Sequence, residues 1–215
     1  MAWREWTRCV SHLWDTLRPR LTDLGHRVYW DLRDMFSRPQ VIPESEAVRF
    51  RVLFVCFGNI CRSPLAEEIL RQKVAREGLA GLVRVDSAGT SAWNIGRRPH
   101  WKARACAVRH GLAIHHHRAR LFTPLDFDRF DRILVMDRQN QVDVLELAPG
   151  SPATTRVHLL LDFAGGGEIP DPINGPPADF DSVFHQIDAA CGGVVEDVVR
   201  EVGRRTPTAP CPTGP

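Results

Sequence analysis

The sequence predicts an α/β fold, a four-stranded parallel sheet covered by helices on both faces and preceded by a helical arm. Three observations carry that expectation. From Arg49 onward, short apolar runs alternate with longer segments of helical periodicity, which is the arithmetic of βαβ units. The runs number four, at 52–55, 83–85, 133–136 and 157–161, with helical segments between them, which gives four strands in one parallel sheet. The first run ends in a loop whose composition suits the carboxyl end of a strand in an open sheet.

Residues 1–40 hold four of the six tryptophans, Trp3, Trp6, Trp14 and Trp30. Trp3, Trp6, Val10, Leu13 and Leu17, then Leu21, Leu24, Val28 and Met35, recur at helical spacing, with Pro19 between the two sets. An amphipathic helical extension is expected, fit to touch a partner or a membrane surface. Residues 41–48, with Pro39 and Pro43 nearby, read as a linker. Residues 49–203 form the expected domain, with strands at 52–55, 83–85, 133–136 and 157–161 and helices at 64–77, 98–110, 138–147 and 178–203. The Pro- and Thr-rich tail, 204–215, is expected to be disordered.

The chain of 215 residues allows one such domain with appendages. Its 28 Lys and Arg against 26 Asp and Glu give no reason to expect nucleic acid as a partner, so any anion site must be local. Six cysteines without a C-x-x-C pair, and an N-terminus broken by Arg4, Glu5, Arg8 and Asp15, point away from a secreted disulfide framework and toward a cytoplasmic location.

The loop from Val55 to Pro64 runs from the first strand into a helix that Pro64 is placed to start and that Ser63 can either cap or leave uncapped by turning its hydroxyl to Cys56. A helix N-terminus directs unpaired N–H groups outward, so an anion is expected there. The loop lacks the Gly-Lys-Ser/Thr ending of a nucleotide-binding P-loop. It offers instead Cys56 and, six positions later, Arg62, with the backbone of Phe57, Gly58, Asn59, Ile60, Cys61, Arg62 and Ser63 available to ring one phosphate. Gly58 admits an inward turn where a Cβ would obstruct, and Asn59 tolerates left-handed backbone. Arg62 grips two oxygens with its planar fork, while the helix terminus and that guanidinium favour a thiolate at Cys56.

The run Cys56-Phe-Gly-Asn-Ile-Cys-Arg-Ser-Pro64 resembles the signature of the low-molecular-weight protein tyrosine phosphatases. Asp86-Ser-Ala-Gly-Thr90, Trp93-Asn-Ile-Gly96, His117-Arg-Ala-Arg120, the stretch from Phe130-Asp131 to Met136-Asp137, and Asp171-Pro172 look like further landmarks in the family's order. The resemblance implies a flavodoxin-like sheet of order 2-1-3-4 and hydrolysis of phosphotyrosine in proteins through a phospho-cysteine on Cys56. Asp171 would be the general acid and base, and no cofactor or metal would be needed. It also implies that His117, with Asn59 and Ser87, supports the loop, that Trp93 walls the site, and that Cys61 traps an oxidised Cys56 as a disulfide. Ile173-Asn174 stands where the family usually has two tyrosines, which alters the expected aromatic wall.

Two other chemistries use similar loops. Hydrolysis of another phosphorylated residue such as phosphoarginine is the runner-up. Thioredoxin-coupled arsenate reduction needs further redox cysteines near the third strand, and 131–143 contains none. His115-His116-His117 is not read as a metal site, because consecutive side chains of extended backbone alternate between faces.

Overall fold

The computed structural model describes residues 47–205. The expected arm at 1–40, most of the linker and the tail beyond Arg205 lie outside the described residues. Four parallel strands, β1 (Phe50–Cys56), β2 (Val83–Gly89), β3 (Arg132–Val135) and β4 (Val157–Leu159), form one sheet of order β2-β1-β3-β4. The expected α/β class and strand order 2-1-3-4 are therefore present.

β1 is central because it can be buried on both sides. Phe50, Val52, Phe54 and Cys56 point into the larger apolar core, and Leu53 and Val55 into a second core on the opposite face. The larger core is covered by α1 (Arg62–Arg76), α2 (Trp101–Arg109) and, late in the chain, the long helix α6 (Pro177–Arg205). The second is closed by Phe122, Phe127 and Phe130 around α3 (Leu125–Arg129), with Val144 from α4 (Arg138–Leu145) and Ala153 from α5 (Ser151–Thr154).

Two features depart from the sequence expectation. The fourth strand was expected to run to residue 161, but pairing stops at Leu159 and Leu160–Ala164 turns into a 3-10 helix. Asp162 accepts a hydrogen bond from the Leu159 N–H at 3.2 Å, so the apolar run continues as a capped turn. The short helices α3 and α5 were also not foreseen. At five and four residues they span too little chain to show a helical period.

β1, β2 and β3 end beside one another, and beyond their carboxyl ends lie the 56–62 loop, the 89–97 segment and the start of α4. The chain returns to this edge through Gly165, Gly166 and Gly167, all at positive φ (95°, 89° and 113°). Three successive left-handed residues are tolerable only as glycine, and they swing the 168–176 segment back over the sheet.

Candidate active site

The 56–62 loop is held from outside by its carbonyls. Thr90 N donates to Cys56 O and Ser91 N to Phe57 O, both at 2.9 Å, and His100 N donates to Ile60 O at 2.8 Å. His117 Nε2 lies 3.1 Å from Asn59 O. In a planar trans peptide the N–H opposes the C=O, so anchoring these four carbonyls outward turns the N–H groups of residues 57, 58, 60 and 61 toward the loop's interior. The result is a concave set of donors suited to a tetrahedral anion.

Asn59 is the keystone of this loop. It is fully buried and, among the described residues, the sole non-glycine at positive φ (51°), as its sequence position led us to expect. Its amide donates to Ser63 Oγ and Ser87 Oγ, both at 2.9 Å, and its Oδ1 accepts from Arg120 N at 2.9 Å. Every polar atom of the side chain is thus satisfied. Gly58 stands where a Cβ would obstruct, as expected. Its φ is not positive, and an added Cβ would meet the Asn94 side-chain amide at 2.8 Å. Gly89, at the end of β2, carries the tighter constraint, since a Cβ there would lie 2.8 Å from Phe57 O and 3.0 Å from Asn59 N.

Cys56 Sγ sits at the floor of the loop, buried, 3.0 Å from Ser63 Oγ and accepting from Asn59 N at 3.3 Å. Of the two roles open to Ser63, capping α1 or bonding Cys56, the structure shows the second: α1 begins at Arg62, its N-cap Cys61 makes no side-chain bond, and the Ser63 hydroxyl is shared among Cys56, Asn59 and the Ala88 carbonyl. Pro64 accordingly lies inside the first turn rather than at its start.

Arg62 is almost wholly buried, yet its fork reaches across the site. Nη1 donates to Asp137 Oδ2 at 2.5 Å and to the Ile169 carbonyl at 2.9 Å, and Nη2 donates to Asp171 Oδ2 at 2.9 Å. Burial works against its charge, but Cys56, Asp171 and Asp137 outweigh burial and keep it protonated. Its Nε is buried with no partner. A buried orphan donor in a loop that already faces an anion site is a place for one more anion oxygen.

Asp171 side-chain accessibility is 40%, so part of its carboxyl stays open to solvent beside Arg62. Its loop is pinned at intervals: Glu168 accepts from Arg138 N at 2.9 Å, Ile169 N donates to Met136 O at 2.8 Å, and Lys102 Nζ donates to Gly175 O at 2.8 Å. Ile173 N donates to Asp171 Oδ1 at 3.1 Å, orienting the carboxyl, while the Ile173 side chain packs on the main core. The rim is formed instead by Trp93, 81% exposed, edge-on to the 43% exposed Phe57 at 6.2 Å between ring centres.

Behind the loop stands a buried polar layer. Ser87 Oγ donates to Glu67 Oε2 at 2.6 Å, His117 Nδ1 lies 3.4 Å from the same oxygen, and Arg71 pairs with Oε1. Burial pushes the Glu67 carboxyl up, but the His117 hydrogen bond, the Arg71 charge and the Ser87 hydroxyl outweigh it and hold the group at about 2. Cys61 behaves oppositely to a nucleophile. Burial first, then the charges of Cys56 and Asp171, push its thiol well up against the pull of Arg62 and Lys102.

The structure thus brings Cys56, Arg62, Asp171, Asn59, Ser63, Ser87 and His117 together, and places Trp93 and Phe57 at the rim. His115 and His116 meet each other edge to face at 5.6 Å, while His117 turns to Glu67 and the loop. Sequence reasoning missed four contributors. Asp137 was quoted only as part of a landmark, although an Asp opening a helix right after a strand was a usable signal, and its Oδ1 indeed accepts from Asn140 N at 2.7 Å. Glu67 and Arg71, four apart on α1, could have been read as a pair. Lys102 gave no signal.

A thiol at the floor of an amide cradle, an arginine along its wall and a carboxyl at its mouth define a cysteine-based phosphatase site. Residues 51–204 match the family described as low molecular weight phosphotyrosine protein phosphatase. The human low molecular weight phosphotyrosine protein phosphatase is 38% identical over 148 residues, covering 67% of this chain and 93% of that protein. The crystal structure of YfkJ from Bacillus subtilis superposes with a TM-score of 0.67 at 34% identity, over 73% of this chain and 99% of that one. A structure described as the Drosophila arginine phosphatase gives a TM-score of 0.62 at 33% identity, over 68% and 96%. The chain belongs to the low molecular weight phosphotyrosine protein phosphatase family and is a phosphoric monoester hydrolase.

Proposed function

We propose that the chain hydrolyses phosphotyrosine in proteins by double displacement at Cys56. The carrying observation is that Arg62 touches Asp171 while Cys56 lies on the floor of the loop that Arg62 closes. Cys56 Sγ, as thiolate, attacks phosphorus and the P–O bond to the tyrosyl oxygen breaks. The interior N–H groups and Arg62 hold the three equatorial oxygens, and the unpaired Nε is the donor that the free site leaves open. Asp171 gives its proton to the departing phenolate, then as carboxylate takes one from the water that cleaves the S–P bond and releases phosphate. Ser63, hydrogen bonded to sulfur, stabilises Cys56 as leaving group in that second step.

Phosphotyrosine is favoured over phosphoarginine by the rim. Trp93 and Phe57 present aromatic faces and edges to a planar ring, and Ile60, branched and apolar, packs against the core from the same loop. The test compares wild type, Cys56→Ser and Asp171→Ala on a phosphotyrosine peptide, a phosphoarginine peptide and an activated aryl phosphate. Cys56→Ser should lose all turnover. Asp171→Ala should lose roughly 10²–10⁴-fold on the phosphotyrosine peptide and less on the aryl phosphate, whose leaving group needs the proton less. Equal losses on both would remove Asp171 from the acid role, and faster turnover of the phosphoarginine peptide would reassign the substrate.

A further inference from the structure

Away from the cradle, two pairs of side chains face each other where α2 meets α6. Cys106 and His110 are four positions apart at the C-terminal end of α2, and Asp181 and His185 are four apart near the start of α6. That spacing places each pair on one face of its helix. Packing then makes the faces converge. The Cys106 thiol donates to Asp181 Oδ1 at 3.4 Å, and His110 Nε2 lies 3.2 Å from the same oxygen. The three donor atoms all lie within 4.8 Å of one another. His185 stands beside them, its ring edge-on to His110 with centres 5.2 Å apart.

Sulfur, imidazole nitrogen and carboxylate oxygen are the donor set zinc selects, at bond lengths of about 2.0–2.3 Å. Donors sharing a tetrahedral ion at such lengths sit roughly 3.3–3.8 Å apart, close to the 3.4 Å and 3.2 Å that already separate Asp181 Oδ1 from the sulfur and from Nε2. We propose that Cys106, His110 and Asp181 form a binding site for a zinc-type divalent cation.

The surroundings are those of a ligand set rather than of a chance cluster. Arg109 Nη2 reaches both Asp181 oxygens, at 2.8 Å to Oδ1 and 2.9 Å to Oδ2, so the carboxyl that meets the sulfur and the imidazole is held from outside. Metal-bound carboxylates are oriented by such outer partners. The His110 ring is fixed by stacking on Phe184 at 3.8 Å, and it borders a cavity of about 70 Å³ with Lys73, Arg76 and Asp188 on its other sides. Burial, then the hydrogen bond to Asp181, pushes the Cys106 thiol up to about 12, so by itself this sulfur is inert. A divalent ion replaces the shared proton: the S–H bond breaks, the proton leaves to solvent, and the thiolate and Nε2 lone pairs bind the metal. Spacing along the sequence gave Cys106 no partner because Asp181 arrives from a distant helix, although His110 four residues on was a signal within reach.

The experiment uses the full chain carrying Cys56→Ser, so that the catalytic sulfur cannot hold metal. Titration with Co²⁺ should give a thiolate-to-cobalt charge-transfer band saturating at one ion per chain, and Zn²⁺ should displace the cobalt. Adding Cys106→Ala or His110→Gln should abolish the band, and Arg109→Met should weaken binding roughly 10–100-fold. Zn²⁺ should also raise the melting temperature of the Cys56→Ser chain and leave that of the His110→Gln variant unchanged. No stoichiometric binding, or a cobalt band that survives both Cys106→Ala and His110→Gln with circular dichroism unchanged, would overturn the assignment.

Discussion

Asn59 offers the sharpest quantitative check on how the loop is held. Replacing it with Ala deletes two donated hydrogen bonds, to Ser63 and Ser87, and one accepted from Arg120 N. At about 1 kcal/mol net for each, roughly 3 kcal/mol of stability goes. Backbone at φ 51° adds a second cost, since Ala lacks the local bonding that lets Asn occupy left-handed space, and this is worth about 1 kcal/mol. Asn59→Ala should therefore lose about 4 kcal/mol. Asn59→Gly forfeits the same three bonds but is free of the left-handed penalty, offset in part by the greater entropy of its unfolded chain. It should lose about 3 kcal/mol. Urea unfolding at neutral pH, read as a midpoint shift at constant slope, measures both. Both variants should also alkylate more slowly at Cys56, because Ser63 is no longer fixed beside the sulfur. Losses below about 1 kcal/mol in both, or a glycine variant less stable than the alanine one, would refute this account of the loop.

Glu67, held at about 2, contributes stability that is fully present above the ordinary carboxylate range and is lost as pH falls from about 4.5 toward 2. Glu67→Gln should thus cost roughly 3 kcal/mol at neutral pH and almost nothing near pH 2, seen as a flattened acid limb in melting temperature against pH. Arg62→Lys cannot reach Asp137, Ile169 O and Asp171 together, so kcat should collapse by more than about 10²-fold while the fold survives, checked by turnover beside circular dichroism. Trp93→Ala should raise KM for a phosphotyrosine peptide several-fold with kcat nearly unchanged, since the ring stands at the rim and touches no reacting atom.

Much of the site was legible because its parts are local. Cys56, Asn59 and Arg62 share one strand-to-helix loop, where a thiol, a residue tolerant of left-handed backbone and a guanidinium at that spacing already describe an anion cradle. Asp171 was legible through family resemblance alone, since nothing in Pro170-Asp171-Pro172 by itself says which loop it faces. Asp137 and Lys102 act through tertiary closure, and no periodicity announces a contact between segments so far apart. Ser63 was open to two readings. Its position suited a helix cap, but a buried sulfur and the Asn59 amide competed for the same hydroxyl and prevailed. The central strand and the long terminal helix were readable from their apolar runs, whereas the fourth strand was overextended because hydrophobicity alone does not mark where pairing ends.

The approach of Gly89 to Phe57 and Asn59 has a consequence for how variation here should be judged. A single methyl group at the tip of β2 would strike main chain that cannot step aside, although residue 89 touches neither sulfur nor substrate. The catalytic pocket is in effect machined to a clearance set by a neighbouring strand, and a mutational screen confined to the signature motif would overlook a position with little tolerance.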